Sequence, residues 1–511
     1  MVNSHGDSLS KDLLRDVKKV HIVGIGGISM SAIAKILVER GFVCTGSDKV
    51  FNDNCADVEA IGVRVFIGHE ASNISDQNLL IYTAAVNETI PEIVRAKELG
   101  IPVVGRAKFL GELMEEYENS IAVSGAHGKT STTSMIAHIL HDVLDPTVLV
   151  GGLLHDNHSN VMIGDSATFV HEACEFKDTF LSLKPRYSVI LNIDADHLDY
   201  FSGLEAIEAS FRKFAYATKD LVFYNIDDPS ARRAVQGIPH KYAGAENQAD
   251  GKVASSRVLG CESGENPGTR LVSFGQREDA DYRVVNLQRG PGATAQFAIE
   301  KDGEILAEIS LSVPGFVYWS NAAAAFACCF ENLMESEEAH RRDKAEIASL
   351  IARRLGDFAN AGRRFEVYGT FEGITVVDDF AHHPNEIKPA LETAMAVSHG
   401  RVIALFQPYT YSRTKELLED FGRCFVGIDE LVVSDILGGR EVDPGDIHAR
   451  DVVRVTAQNG VKSHLSDTLE NAGDLAISLA REGDMIITLG CGNVYLAARY
   501  MEKKLRNIGT I

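Results

Sequence analysis

The chain has no apolar run long enough to cross a membrane as a helix. Stretches such as SVILNI (188–193) fall far short of the ~20 residues required. It also lacks a basic patch. Asp and Glu number 72 against 50 Lys and Arg, and the formal charge of -22 repels nucleic acid and anionic lipid, so neither is expected as a partner. The eight cysteines are scattered, with only Cys328 and Cys329 close together, so no CxxC metal or disulfide framework exists. That usage suits a reducing cytoplasm, where free cysteines serve mostly as small core hydrophobes. The opening MVNSHGDSLSKDLLRD is polar and carries no signal-peptide core, which again points to the cytoplasm. No repeat recurs at a fixed period.

What is present is a long soluble chain, 511 residues with 45% hydrophobic content, enough for two to four domains. Short apolar runs alternate with amphipathic stretches, as in KVHIVGIGG, SIAVSGAHG, YSVILNID, GRVIALFQP and DMIITLGCG. The alternation predicts an α/β chain of three domains, each with a mainly parallel sheet flanked by helices. The boundaries fall at 1–117, 118–357 and 358–511. Within the middle part, YRVVNLQRG, ATAQFAIEKDG and EILAEISLSVPG alternate apolar and polar positions between glycine turns, and read as an antiparallel subsheet. Residues 243–270 read as an irregular surface insertion.

Two glycine-rich loops follow strands. In HIVGIGGISMSAIAKILVERGFVCTGSD, a strand leads through Gly24, Gly26 and Gly27 into a helix, and Asp48 ends the next strand. This is the layout of a dinucleotide site, except that Ser29 stands where the third glycine would fall. The loop can admit a diphosphate close to a helix N-terminus. The second loop, SGAHGKTSTTS (124–134), lacks the usual phosphate-loop spacing because Gly125 precedes Gly128 by only three. Its functional end is intact. Backbone N–H groups from Gly125 to Ser131, through Ala126 and His127, would face phosphates; Lys129 would neutralise them and Thr130 could ligate magnesium.

Downstream, HEACEFKDTFL and ILNIDADHLDYF end strands in acids, where α/β ligands bind. Glu175 and His197 are the candidates to complete a magnesium site with Thr130. ITVVDDFAHHPNEIKPAL supplies Asp378, Asp379, His382 and His383 before a helix, and FQPYTYSRTKELLEDF delivers Arg413 at a strand-to-helix junction suited to clamping a carboxylate or phosphate.

Taken in order, HIVGIGGISMSAIAKIL, GAHGKTSTTSMIA, NIDADHLDYF, RRFEVYG, DDFAHHPNEIK and FQPYTYSRT resemble the Mur ligase family from about residue 18 to 500. The resemblance implies a UDP-sugar-binding domain, a central ATPase domain of phosphate-loop type and a C-terminal amino-acid-binding domain. It implies ATP and magnesium as cofactors, and UDP-N-acetylmuramate and L-alanine as substrates. The lactyl carboxylate would be phosphorylated, and the amine of L-alanine would attack the acyl phosphate. By the same resemblance Gly24, Gly26, Gly27, Ile28, Ser29 and Asp48 hold UDP rather than NAD, Lys129 holds ATP phosphates, Thr130 and Glu175 hold one magnesium and His197 another. Asn192 orients substrate, and His382 and Arg413 surround the amino acid.

The chain departs from the family pattern in three places. Val317 and Tyr318 stand where a His-Asn step contacts adenine, Tyr409 replaces a histidine, and HEACEFKDTF replaces the commoner EADESDASF while keeping Glu175. Three other readings stand beside the leading one: a murein-peptide ligase that joins a tripeptide to the same nucleotide sugar, a non-catalytic nucleotide-sugar-binding paralogue, and an NAD-dependent oxidoreductase. The last leaves the second loop unexplained.

Overall fold

The computed structural model describes residues 14–154, 159–197, 200–238, 269–439 and 441–508. They form two compact units, Met1–Arg283 with Ala323–Ile347, and Val284–Ala322 with Ala348–Ile511. Most of the insertion expected at 243–270 lies outside the described residues.

The first unit holds two sheets. One has five parallel strands in the spatial order Arg64–Ile67, Val43–Asp48, Lys19–Val23, Leu79–Tyr82, Val103–Gly105. Lys19–Val23 buries its last four residues, as a strand covered on both faces must. The next helix, Ile28–Glu39, buries Met30, Ile33, Ala34 and Leu37 against it at three- and four-residue spacing. Strand order reverses at Lys19–Val23, so the first glycine loop leaves the sheet at a topological switch point, where such sheets bind ligands.

The second sheet of this unit runs Arg270–Gly275, Leu221–Asn225, Tyr187–Ile190, Asn119–Ser124, Thr168–Glu172, Thr147–Leu149, Val161–Met162. Asn119–Ser124 pairs in parallel with Tyr187–Ile190 on one side and Thr168–Glu172 on the other, placing Ser124 beside Ile190 and Val123 beside Glu172. Three strand ends therefore deliver the second glycine loop, the acids from Glu172 to Glu175 and the segment from Leu191 onward to one sheet edge. A continuous core joins the two sheets, with Ile22 of the first and Ile33 of the helix Ile28–Glu39, Phe169 of the second and Phe211 of the helix Leu204–Ala217, and Phe109 and Leu113 of the helix Arg106–Glu115.

The second unit holds a six-stranded sheet ordered Glu366–Phe371, Ile374–Asp379, Met485–Leu489, Val402–Phe406, Glu430–Val433, Lys462–Leu465. Only Glu366–Phe371 is antiparallel. The same unit contains the antiparallel pair Ala295–Lys301 and Glu304–Ser310, so the expected antiparallel strands are present. The three-sheet α/β reading of the sequence is borne out.

Gly111 sits where the helix Arg106–Glu115 meets the 182 segment. A Cβ there would lie 2.1 Å from the Ser182 carbonyl oxygen. Gly111→Ala is therefore expected to cost about 1–3 kcal/mol as overpacking, read as a lower denaturant midpoint. An unchanged midpoint would mean that the 182 segment yields freely.

Candidate functional site

The second glycine loop is shaped by two residues that only glycine suits. Gly125 has φ +147°, and a Cβ there would come within 3.0 Å of Leu191 Cβ and 3.2 Å of the Asn192 backbone; Gly128 has φ +83°. Gly128 opens the helix Lys129–Leu144 with no side-chain cap and no acid in the first turn. The helix thus starts with N–H donors that no side chain satisfies and with the positive end of its dipole uncompensated. Against this positive end sits a further cation. The Lys129 ammonium donates to the Gly125 and Ala126 carbonyls at 2.5 and 3.2 Å and to both Glu175 oxygens at 3.2 and 3.0 Å. Burial opposes its charge, but Glu175, with Cys174 and Glu172, outweighs that and holds the ammonium well above the usual lysine range. The two residues that the sequence reading gives to phosphate and to metal are bonded to each other.

The neighbouring acid, Glu172, was not singled out from the sequence. Its Oε2 accepts from the Thr130 hydroxyl at 2.9 Å and from the Gly151 N–H at 2.8 Å. Thr130, Glu172 and Glu175 thus offer oxygens from a helix start, a strand end and the turn after it, a hard donor set that fits magnesium. The signal available in the sequence was a second acid three residues before Glu175. His197, at φ +56°, places its ring 4.7 Å from that of Phe176, the residue after Glu175. Asn192 grips the loop: its amide accepts from the His127 N–H at 2.8 Å and donates to the His127 carbonyl at 3.0 Å, while its own carbonyl accepts from Ala126 N–H at 3.1 Å. His127 reaches on to Asp194 at 3.2 Å.

The first loop is braced from within. Gly24 has φ +80° and its N–H donates to the Ser47 carbonyl at 2.7 Å. One Asp48 oxygen accepts from Gly26 N–H at 2.9 Å, and the Asn52 and Asn54 amides donate to the Gly26 carbonyl. The sequence spacing marked Asp48 as a ligand contact; here that oxygen shapes the loop. Gly27 then starts the helix at Ile28, again with no side-chain cap and no acid in the first turn.

The helix start after the first loop and the acid Glu172 line one cavity. The buried Asn160 amide donates to the Ile28 carbonyl, and a cavity of about 230 Å³ is lined by Ser29, Arg106, Gly151, His171, Glu172 and Cys174 among others. Burial pushes the His171 imidazole down to about 4 and the Cys174 thiol up to about 11. Both are therefore neutral near pH 7, leaving Arg106 and Glu172 as the charged groups of this lining.

In the second unit, Asp378 is buried between Arg363 (2.8 Å) and Thr488 (2.5 Å). Asp379 accepts from the Phe365 and Ala381 N–H groups, both at 2.8 Å, and burial pushes its carboxyl up to about 6. The adjacent histidines divide their work. His383 caps the helix Pro384–Val397, whereas His382 Nδ1 lies 3.1 Å from both Glu386 Oε2 and the Phe380 carbonyl. Burial opposes charging of His382, but Cys491 and Glu386 outweigh it and push the imidazole up to about 10. Arg413 lies on the short helix Tyr411–Glu416, entered through Thr410 at φ +64°. Val317 is half exposed, and Tyr318 lays its ring over Gly315.

Comparison with known proteins gives three family matches: "Mur ligase family, catalytic domain" over residues 19–118, "Mur ligase middle domain" over 123–329 and "Mur ligase, glutamate ligase domain" over 363–492. The chain is 39% identical to a UDP-N-acetylmuramate–L-alanine ligase of Clostridium acetobutylicum, over 95% of this chain and 98% of that one. Among solved structures it is similar to a UDP-N-acetylmuramate–alanine ligase from Thermotoga maritima, with 26% identity, a TM-score of 0.74 and coverage of 96% and 99%. A murein peptide ligase from Psychrobacter arcticus shares the fold at 20% identity and a TM-score of 0.65, covering 96% of this chain and 99% of that one.

Asn192→Leu keeps approximate size but removes both amide bonds to His127. It is expected to cost about 1–3 kcal/mol, because the His127 N–H and carbonyl lose their partners. Thermal unfolding measures the loss; full retention of the melting temperature would show that the loop holds its shape unaided.

Proposed function

The chain belongs to the Mur ligase family, and from that premise we propose that it joins L-alanine to the lactyl carboxylate of UDP-N-acetylmuramate, using ATP, in peptidoglycan precursor synthesis. The observation that carries this reading is the Lys129–Glu175 pair at an uncapped helix start, beside a Glu172 that lines the same cavity as Ser29 of the first loop. Such an arrangement suits a phosphate donor on one side and a nucleotide-linked acid on the other.

In the proposed reaction a lactyl carboxylate oxygen attacks the γ-phosphorus of ATP and ADP leaves. The amine of L-alanine then attacks the acyl carbon, and phosphate departs from the tetrahedral adduct. The loop from Gly125 to Ser131 wraps the phosphates. Lys129 exchanges its Glu175 partner for phosphoryl oxygens and offsets the negative charge on the transferred group, the main demand of such chemistry. Thr130, Glu175 and Glu172 are the residues that would hold magnesium, with His197 at a second ion. Magnesium, when bound, supplies Lewis-acid neutralisation of the phosphate oxygens. Asn192 positions the loop. Gly24, Gly26, Gly27, Ile28 and Ser29 receive the UDP diphosphate, with Asp48 holding the Gly26 N–H in place. Arg413 holds the amino-acid carboxylate. His382, charged at neutral pH, orients by its charge and leaves the proton of the attacking amine to another acceptor.

The matched intervals support domain limits at 1–117, 118–357 and 358–511. Among the described residues no helix is long and apolar enough to cross a membrane. Together with the scattered free cysteines, this favours the cytoplasm.

Phosphate release with ATP, magnesium and UDP-N-acetylmuramate is expected to require L-alanine. Release that depends on a tripeptide instead would assign the other ligase activity. Lys129→Ala is expected to lower ADP formation by at least about a hundred-fold while UDP-sugar binding, measured by calorimetry, persists. Undiminished turnover in that variant would remove Lys129 from the mechanism.

A further inference from the structure

We propose that Glu92 is a positioning residue for the nucleotide sugar: its fully buried carboxylate fixes the strand end that holds the first glycine loop in place. This role rests on the reading that the loop receives the UDP diphosphate.

Glu92 lies in the first turn of the helix Pro91–Glu98, which has no side-chain cap. The helix dipole favours an acid there, but Glu92 is 0% exposed, and a buried carboxylate is costly unless its oxygens are paired. Here every one of its acceptor sites is used. Oε1 accepts from His21 Nε2 at 3.1 Å and from the Asn73 amide at 2.8 Å. Oε2 accepts from the Ser47 hydroxyl at 2.8 Å and from His69 Nδ1 at 2.9 Å. An ionised carboxylate has about four such sites. Burial opposes its charge, but the hydrogen bonds from His21, Asn73 and Ser47 outweigh that and hold the carboxyl below the usual glutamate range.

Three of the donors come from the strands that frame the loop. His21 lies on Lys19–Val23, which leads into it, Ser47 is next to last in the paired strand Val43–Asp48, and His69 stands two residues past Arg64–Ile67, the next strand across. Ser47 joins carboxylate and loop directly. Its hydroxyl donates to Glu92, while its carbonyl accepts from the Gly24 N–H at 2.7 Å and the Ile25 N–H at 3.0 Å. The adjacent Asp48 accepts from the Gly26 N–H at 2.9 Å. Strand and loop leave each other little room, since a Cβ on Gly46 would lie 2.8 Å from the Ile22 carbonyl oxygen. A shift of the Ser47 end therefore carries Gly24, Ile25 and Gly26 with it, and with them the uncapped helix start at Ile28, where a diphosphate would sit.

The test uses the full chain, with binding of UDP-N-acetylmuramate and of ADP each measured by calorimetry. E92Q keeps the size of the side chain, but two of the donors then face an amide N–H2 group that cannot accept. It should weaken UDP-N-acetylmuramate binding about ten-fold and leave ADP binding unchanged. In turnover, KM for UDP-N-acetylmuramate should rise in the same proportion with kcat retained, as for the loss of a contact made equally before and during reaction. If E92Q lacks the native circular dichroism spectrum, S47A carries the comparison, because it removes the link from Glu92 to the strand end, and should weaken nucleotide-sugar binding about three-fold. Unchanged UDP-N-acetylmuramate binding in the variant used, or equal weakening for both ligands, would overturn the proposal and leave the reading of the loop standing. A wild-type chain that binds ADP but not UDP-N-acetylmuramate would overturn that reading and the proposal with it.

Discussion

The site depends on one ion pair, Lys129 with Glu175. A lysine at the positive end of an uncapped helix is held there against both burial and the helix dipole, and only a close carboxylate makes the position tenable. Glu175 supplies it, with Glu172 one strand end away. The consequence is a store of opposite charges packed at contact distance, each ready to accept a new partner of the sign it already faces. On the proposed reading, phosphoryl oxygens would replace a carboxylate for Lys129, and a divalent cation would replace an ammonium for Glu175. Binding of nucleotide and binding of metal would thereby be linked through the exchange of partners in a single contact.

The sheet architecture was legible because it rests on local patterning. KVHIV, YSVI and VIALF are short apolar runs that can only be strands buried on both faces, and the helices after them carry their apolar residues at helical spacing. The shape of the second glycine loop was legible for a related reason: Gly128 at positive φ stands directly before Lys129 and Thr130, where the helix starts. Glu172 escaped because its importance comes from register. Nothing near it in the chain says that it stands beside Val123 and within reach of Thr130. Asn192 was marked as a substrate contact, whereas its amide is used to hold His127, a partnership between distant segments that no local pattern encodes.

The two glycine loops solve one problem with different means. Each must present backbone N–H groups at a helix start while keeping a strained turn in shape. The first is pinned by side chains of its own neighbourhood, Asp48, Asn52 and Asn54, all on the strand and helix that follow. The second is pinned from across the sheet by Asn192, so its shape depends on the strand Tyr187–Ile190 being in place. Both are complete only in the folded sheet, because Ser47 and Asp48 reach the first loop from the strand paired with its own, as Asn192 reaches the second from just past the strand paired with its own.

Asn160 adds a consequence of its own. By clasping the Ile28 carbonyl it ties the helix after the first loop to the edge of the second sheet inside a single compact unit. On the proposed reading that span would be a gauge of molecular length, set by the polypeptide in advance, so a compound seated by its nucleotide end would offer its acid at the correct reach only if the connecting sugar measured up.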